Sequence, residues 1–262
     1  MTTSPPPIVN GPGAPRYNVL GVGVSALRFQ QARDLLIDAK GMLRLGYVCV
    51  CTVHGISEAR NDPKFRKILN GSYLTTPDGM PLVWLGPRST QRVYGPDLML
   101  AVCDTGRSVG LRHYFYGGTD GVAPLLAQKM VKRFPGLEVV GTFSPPHREL
   151  NDDELAGLKI DITRRRPDIV WVGLSTPKQE RFMAKHAGSL DAALLVGVGA
   201  AFDFHTGRVR QAPRWIQRSG FEWLFRLCME PRRLGPRYAR TNPLFLLRIA
   251  GQLTGLKKYP LE

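Results

Sequence analysis

Short apolar, β-rich runs alternate with segments of helical spacing along most of the chain, and this alternation restricts it to a layered α/β fold. The runs predicted to be strands are residues 47–53, 73–75, 113–116, 137–143, 169–173 and 193–198. The segments predicted to be helices are residues 29–43, 54–69, 95–109, 121–134, 152–165 and 177–186. The fold class predicted from this pattern is α/β, with a mostly parallel sheet flanked by helices.

The pattern changes after Phe204, where no further strand is predicted. Prolines at positions 213, 231, 236 and 243 are predicted to divide the remainder into short helices that are rich in arginine and aromatic residues. We therefore predict three parts: a disordered, Pro- and Gly-rich lead over residues 1–16, a catalytic core over residues 17–206, and a basic helical appendage over residues 207–262.

Positive charge is concentrated in the predicted appendage. The chain has a net charge of +15, and residues 207–262 carry 12 Lys and Arg against 3 Asp and Glu. Arginines interleaved with aromatic side chains suit phosphate groups and an anionic membrane surface. The longest apolar run, residues 192–202, is too short to span a bilayer, so we expect peripheral contact with the membrane. Nucleic acid is the competing partner, but no recognised nucleic-acid module supports it.

Ligands of a parallel sheet bind beyond the carboxyl ends of its strands, and this rule selects the candidate site residues. Asp78 lies in a Pro-Asp-Gly turn after a short strand and is the best-placed general base, although such a turn also forms without any chemistry. Thr76 beside it is predicted to contact substrate.

Small or polar residues follow three other strands at the same edge. Gly117 and Gly118 are able to admit a diphosphate or merely to form a strand-to-helix turn. Gln179 is able to bind a base, ribose or sugar, or to complete a capping box in which Thr176 is the N-cap. Asp203 follows a Gly-rich turn that serves either a sugar hydroxyl or close packing.

Motifs for metals and for dinucleotides are weak. Residues 21–26 match GxGxxA, but the next strand ends in Val53-His54 rather than in the acidic residue that a nicotinamide site requires. No Asp-x-Asp occurs, and the five histidines have no ligand spacing. We therefore predict no metal and no cofactor.

Several longer motifs, in order, resemble the WecG/TagA/CpsF glycosyltransferases and most closely their exopolysaccharide branch. They are residues 75–85 (TTPDGMPLVWL), 92–99 (RVYGPDLM), 114–118 (YFYGG), 172–182 (VGLSTPKQERF), 196–204 (VGVGAAFDF) and 211–238 (QAPRWIQRSGFEWLFRLCMEPRRLGPRY). The resemblance implies a Rossmann-like core with an appendage that docks on the membrane. It also implies an inverting, metal-independent transfer from a UDP-sugar to a polyprenyl-diphosphate-linked saccharide in cell-surface polysaccharide biosynthesis. The enzyme would act in the cytoplasm, on the inner face of the cell membrane.

By the same resemblance, Asp78 matches the proposed base of the family. The residues that it places near substrate are Thr52, Arg92, Gln179, Arg226, Arg233 and Arg237, the last lying one position beyond strict alignment. Many members have Thr-x-Asn where this chain has Thr52-Val53-His54, so His54 is predicted as a sugar contact in place of the asparagine.

Two other functions are compatible with the sequence. A nucleic-acid-binding protein with the same core and a nicotinamide-dependent enzyme acting on a nucleotide sugar are the alternative functions. The donated sugar is not predicted, because the departure at His54 bears on donor choice. A homo-oligomer is also left open, because the appendage of one subunit could close over its neighbour.

Overall fold

A computed structural model describes residues 14–261 of the chain, apart from the side chains of Arg233 and Arg237. Residues 1–13, which make up most of the predicted lead, lie outside the described residues. The first strand already begins at Arg16. The three predicted domain boundaries remain predictions.

Eight strands form two sheets. Their bounds are β1 (Arg16–Val19), β2 (Val22–Ser25), β3 (Gly46–Cys51), β4 (Leu74–Pro77), β5 (Arg112–Gly117), β6 (Glu138–Phe143), β7 (Ile169–Gly173) and β8 (Leu194–Gly197). Strands β3 to β8 make one sheet in the order β4-β3-β8-β7-β5-β6, and every neighbouring pair in it is parallel. This arrangement confirms the predicted α/β, Rossmann-like fold class.

Helices connect and cover these strands. Their bounds are α1 (Phe29–Ile37), α2 (Val53–Asn61), α3 (Pro63–Asn70), α4 (Met80–Leu85), α5 (Gly95–Gly106), α6 (Val122–Arg133), α7 (Asp152–Arg165), α8 (Lys178–His186), α9 (Ala201–Thr206), α10 (Arg214–Ser219), α11 (Glu222–Met229) and α12 (Pro231–Leu253). The predicted segment over residues 54–69 is therefore two helices, because Asp62 caps α3 and Pro63 opens it.

The main sheet separates two apolar cores. Alternate residues of a strand point to opposite faces, so Val48 and Val50 lie in one core while Cys49 and Cys51 lie in the other. Trp171 of β7, which is fully buried, belongs to the first of these cores. Because both faces are covered, the open ends of the strands are the part of the sheet left for a ligand.

The GxGxxA motif lies on a hairpin and does not connect a strand to a helix. Strands β1 and β2 pair antiparallel, and Gly21 stands in the turn between them at φ +89°. A dinucleotide fingerprint requires a strand that leads directly into a helix whose N-terminus receives the pyrophosphate. The sequence match therefore lacks the geometry on which the nicotinamide alternative depended.

The predicted division of the C-terminal region by prolines is wrong for its last two breaks. Pro236 and Pro243 both lie inside α12, which runs for 23 residues. A proline removes one helical hydrogen bond and bends a helix, but it does not end the helix when packing holds both halves. Leu234 is fully buried, and Phe245 and Ile249 pack into the second core, so tertiary contacts outweigh the cost of the prolines.

Candidate active site

Residues that the sequence predicts to form the site lie together at the carboxyl edge of the sheet. Thr52 follows β3, Asp78 follows β4, Gly117 ends β5, Gln179 lies in the helix after β7, and Asp203 lies in the helix after β8. The common strand direction brings these positions, which are far apart in the chain, to one edge of the molecule.

Asp78 is held at the end of the short edge strand β4. Its backbone N–H donates to the Cys51 carbonyl oxygen over 2.9 Å, which ties the turn to β3. Its carboxylate retains 16% exposure and lies 3.4 Å from Nη2 of Arg92. The pKa of Asp78 is raised to about 7: burial raises it most, Arg92 opposes that effect, Glu222 also raises it and Arg226 lowers it. The side chain is therefore a buried carboxyl that exchanges protons near neutrality.

Arg92 joins the core to the C-terminal helices. Its Nε donates to the backbone oxygen of Asp78, and its Nη1 donates to the Gln217 carbonyl oxygen over 2.9 Å. Its Nη2 forms an ion pair of 2.5 Å with Glu222. Its guanidinium lies over the Tyr94 ring at 4.2 Å from the centroid. These contacts fix the guanidinium beside Asp78 in one orientation.

Glu222 is a residue of this site that the sequence analysis missed. It begins α11, and its side chain is only 13% exposed despite its charge. Of the C-terminal region, only arginines are predicted from the sequence as site residues. One signal was available: Glu222 is one of only 3 acidic residues in a region with 12 basic ones, and it stands beside Trp223.

A tight turn brings Glu222 to the core. Helix α10 ends at Ser219, and Gly220 follows in the left-handed conformation at φ +81°. A Cβ at this position would lie 2.7 Å from the Trp84 ring, so glycine allows the turn to approach α4 closely. Two residues later α11 begins, with Glu222 directed at Arg92.

Gln179 does not complete the predicted capping box. The N-cap of α8 is Pro177, without a side-chain cap hydrogen bond, and Thr176 instead donates to the Glu180 carboxylate over 2.8 Å. Gln179 Nε2 donates to the same carboxylate over 3.0 Å, while its Oε1 accepts from the Gly199 N–H over 3.0 Å. The Gln179 side chain thereby links the segment after β7 to the turn after β8, and the residue is 2% exposed.

Gly117 and Gly118 have a packing explanation. Gly117 has φ +139°, and a Cβ there would meet the backbone oxygen of Gly173 at 2.5 Å. The Gly118 N–H donates to that same oxygen over 3.1 Å, so it is already bonded within the protein. Gly117 thus lets β5 approach β7, and Gly118, whose added Cβ would lie 2.7 Å from Val122, lets the chain approach α6; their predicted contact with a diphosphate remains a prediction.

Four other predicted residues differ in their surroundings. Thr52 caps α2, accepting from the Gly55 N–H over 3.5 Å. Thr76 is fully buried, and its hydroxyl has no hydrogen-bond partner among the described residues. His54 lines a groove of about 510 Å³ between α2 and α12. Asp203 is half-buried near the start of α9.

Of the three predicted arginines, only Arg226 has a described side chain. It lies 5.9 Å from the Phe204 ring centroid, its charge lowers the pKa of Asp78, and its buried Nε has no hydrogen-bond partner in the described part of the chain. Arg233 and Arg237 belong to α12, but their side chains lie outside the described residues.

Neither a metal-ligand cluster nor a spanning helix is found in the described part of the chain. Within residues 14–261, no three His, Cys, Asp or Glu side chains come together as metal ligands. Over the same residues, no helix is both long enough and apolar enough to cross a bilayer.

The chain as a whole is similar to proteins that are already known. Residues 17–259 match the model of the glycosyl transferase WecG/TagA/CpsF family. An N-acetylglucosaminyldiphosphoundecaprenol N-acetyl-beta-D-mannosaminyltransferase of Bacillus spizizenii is 30% identical over 183 residues, which are 67% of this chain and 68% of that protein. A protein of the same name from Bacillus subtilis is 28% identical over 192 residues, covering 70% and 73%.

Proposed function

The chain belongs to the WecG/TagA/CpsF family of glycosyltransferases, and from that premise we propose that it transfers a sugar from a UDP-sugar to a polyprenyl-diphosphate-linked saccharide. The two Bacillus relatives are named for transfer of N-acetylmannosamine to a diphosphoundecaprenol-linked N-acetylglucosamine. Such names support the class of acceptor proposed here. The donor sugar is left open, because His54 stands where many members have asparagine.

Asp78 carries the proposal. Transfer with inversion needs a base that removes the proton of the acceptor hydroxyl while its oxygen attacks the anomeric carbon and the bond to UDP breaks. A general base works best when its pKa lies near the working pH, and burial raises the pKa of Asp78 to about 7. Its position beyond β4, beside the other strand ends, is where the acceptor hydroxyl would meet the donor.

Positive side chains support a metal-independent departure of UDP. The leaving diphosphate gains negative charge as the bond breaks, and fixed cations in a partly buried site stabilise that charge. Arg226 lies near Asp78 and keeps a buried Nε without a partner in the described part of the chain. We assign Arg226, Arg233 and Arg237 to the departing diphosphate, as the sequence motif implies.

The appendage supports a peripheral position on the cytoplasmic face of the membrane. Its surface combines many arginines with exposed aromatic side chains, among them Trp215 at 72% and Phe221 at 56% exposure. Arginine attracts anionic headgroups, and aromatic rings favour the interfacial region of a bilayer. Such a surface would hold the enzyme at the leaflet that carries its lipid-linked acceptor.

Asp78→Asn tests the proposal. Asparagine keeps the size of the side chain but cannot accept the proton, so we expect turnover to fall by at least about 10²-fold, the usual contribution of a general base. Binding of the UDP-sugar, measured by calorimetry, should stay close to that of the wild type. Undiminished turnover in the variant would exclude Asp78 as the base.

A further inference from the structure

We propose that Glu222 is a positioning residue of the active site, which holds the Arg92 guanidinium so that Arg92 does not pair fully with Asp78. This inference rests on the proposed function, in which Asp78 takes a proton from the acceptor. Glu222 would act through Arg92 and not on the substrate. Its contribution would therefore appear in the pH dependence of the reaction.

The contacts of Arg92 show how the guanidinium is shared. Its Nη2 is 2.5 Å from Glu222 and 3.4 Å from the carboxylate of Asp78. Its other donors are engaged by the backbone oxygens of Asp78 and Gln217. The strong ion pair is thus made with Glu222, and the Asp78 carboxylate receives only the longer contact.

A full pair with Arg92 would make Asp78 a poor base at neutral pH. Arginine in close, bidentate contact stabilises a carboxylate and lowers its pKa. Glu222 prevents this in two ways, because it occupies the guanidinium and adds a second negative charge. The two carboxylates contact the same nitrogen, so they lie within about 6 Å of each other, where charges interact strongly in a partly buried site.

Other titratable or charged groups near Asp78 do not replace Glu222 in this role. Arg226 of α11 opposes it, since it lowers the pKa of Asp78 as Arg92 does. Tyr94 and Cys51 also interact with Asp78. Burial raises the pKa of both to well above neutrality, so they stay uncharged while Asp78 titrates. Glu222 is therefore the negative charge that acts on Asp78.

Glu222 reaches the site from a helix that is distant in sequence from Asp78 and Arg92. Glu222 comes from α11, whereas Asp78 follows β4 and Arg92 precedes α5. The side chain reaches them because α11 starts directly after the close turn at Gly220. The ionisation of the base would then depend on an element of the C-terminal region that is remote from it in sequence.

Glu222→Gln tests the inference through the pH profile of turnover. Loss of the negative charge lets Arg92 approach Asp78 and lowers the pKa of its carboxyl. The acid limb, which is the pH range in which turnover falls as Asp78 becomes protonated, should therefore move to lower pH by about one unit or more. The rate above the limb should fall as well, because a weaker base accelerates proton transfer less. Glu222→Asp, which keeps the charge but shortens the reach, should move the limb in the same direction by less.

Asp97→Asn is the matched control. Asp97 of α5 forms an ion pair of 2.5 Å with Arg214 of α10, so it too links the core to the C-terminal helices. The ion pairs of Arg92 are with Asp78 and Glu222, so removing the charge of Asp97 leaves both in place. Asp97→Asn should therefore leave the limb where it is in the wild type. An equal shift in this control would show that weakened attachment, and not the charge of Glu222, is the cause.

A second measurement does not require activity. The ¹³C carboxyl signal of Asp78, assigned by its loss in Asp78→Asn, should titrate near pH 7 in the wild type and at lower pH in both Glu222 variants. An unchanged midpoint in the Glu222 variants would overturn the inference. So would loss of all turnover in Glu222→Gln at every pH, since that would make Glu222 a reacting group. A wild type without transferase activity would instead refute the proposed function, and the titration would still decide the role of Glu222.

Discussion

At the residue scale, burial and charge act on Asp78 in opposite directions. Burial and the charge of Glu222 disfavour the carboxylate form of Asp78, whereas the charges of Arg92 and Arg226 favour it. The first two effects together are larger, so the pKa is about 7. An aspartate that faced Arg92 alone would be ionised far below neutrality. The site therefore contains a carboxyl that is able both to accept and to release a proton under cellular conditions.

The raised pKa predicts the pH dependence of turnover. A general base must be ionised, and the carboxylate form is lost as the pH falls below the pKa. We expect kcat/KM to fall about tenfold per pH unit below about pH 7 and to level off above it. Measurement between pH 5 and 9 checks this, with unfolding followed in parallel as the control. A fall in kcat/KM that begins only near pH 4, the pKa of an ordinary aspartate, would show that the base does not have a raised pKa.

The sequence predicted Asp78 and Arg92 but not their partner. Asp78 follows the end of β4, and a parallel sheet brings strand ends together, whereas Arg92 is predicted from the family resemblance alone. Glu222 has no such signal, because its place in the site depends on how α10 and α11 fold back onto the core. A turn at Gly220 against Trp84 decides that path, and such a tertiary contact is not visible in periodicity or spacing.

Among the helices, caps and prolines predict a helix end correctly only where tertiary contacts do not override the local sequence. Asn151 and Glu154 form a capping box that opens α7, which is largely exposed, so local chemistry decides this helix start. At α8 the predicted box is replaced, because Thr176 and Gln179 both donate to the buried Glu180. At α12, packing of Phe245 and Ile249 carries the helix through two prolines.

The close approach of β5 and β7 gives a prediction for Gly117→Ala. The new Cβ would meet the backbone oxygen of Gly173 at 2.5 Å, and the backbone at φ +139° is strained for alanine. We expect the free energy of unfolding to fall by roughly 2–4 kcal/mol, measured by denaturant titration.

Gly136→Ala is the control for that variant. Gly136 also has positive φ, +87°, but nothing lies within 4 Å of its added Cβ. It should cost only the backbone strain, about 1 kcal/mol. Equal losses in the two variants would show that strain, and not the contact between β5 and β7, requires glycine at position 117.

At the scale of the whole molecule, the C-terminal region is tied to the core at both of its ends. Near its start, Arg92 pairs with Glu222. Near its end, Gln252 exchanges hydrogen bonds with the β1–β2 hairpin, donating to Asn18 and accepting from the Leu20 N–H over 2.8 Å each. The region as a whole carries the exposed rings of Trp215, Phe221 and Trp223 and, over residues 207–262, most of the chain's excess positive charge. A membrane contact made by this region would therefore be transmitted to the site.

Acceptor-dependent release of UDP tests whether the protein is a UDP-sugar-dependent glycosyltransferase. The full chain is incubated with a panel of UDP-sugars and a polyprenyl-diphosphate-linked monosaccharide in detergent, in parallel with a divalent metal and with EDTA, and free UDP is measured. Release is expected from one donor, only when the acceptor is present, and without a divalent metal. No release from any donor by the folded protein would contradict the proposed transfer, and release that EDTA abolishes would contradict a metal-independent reaction.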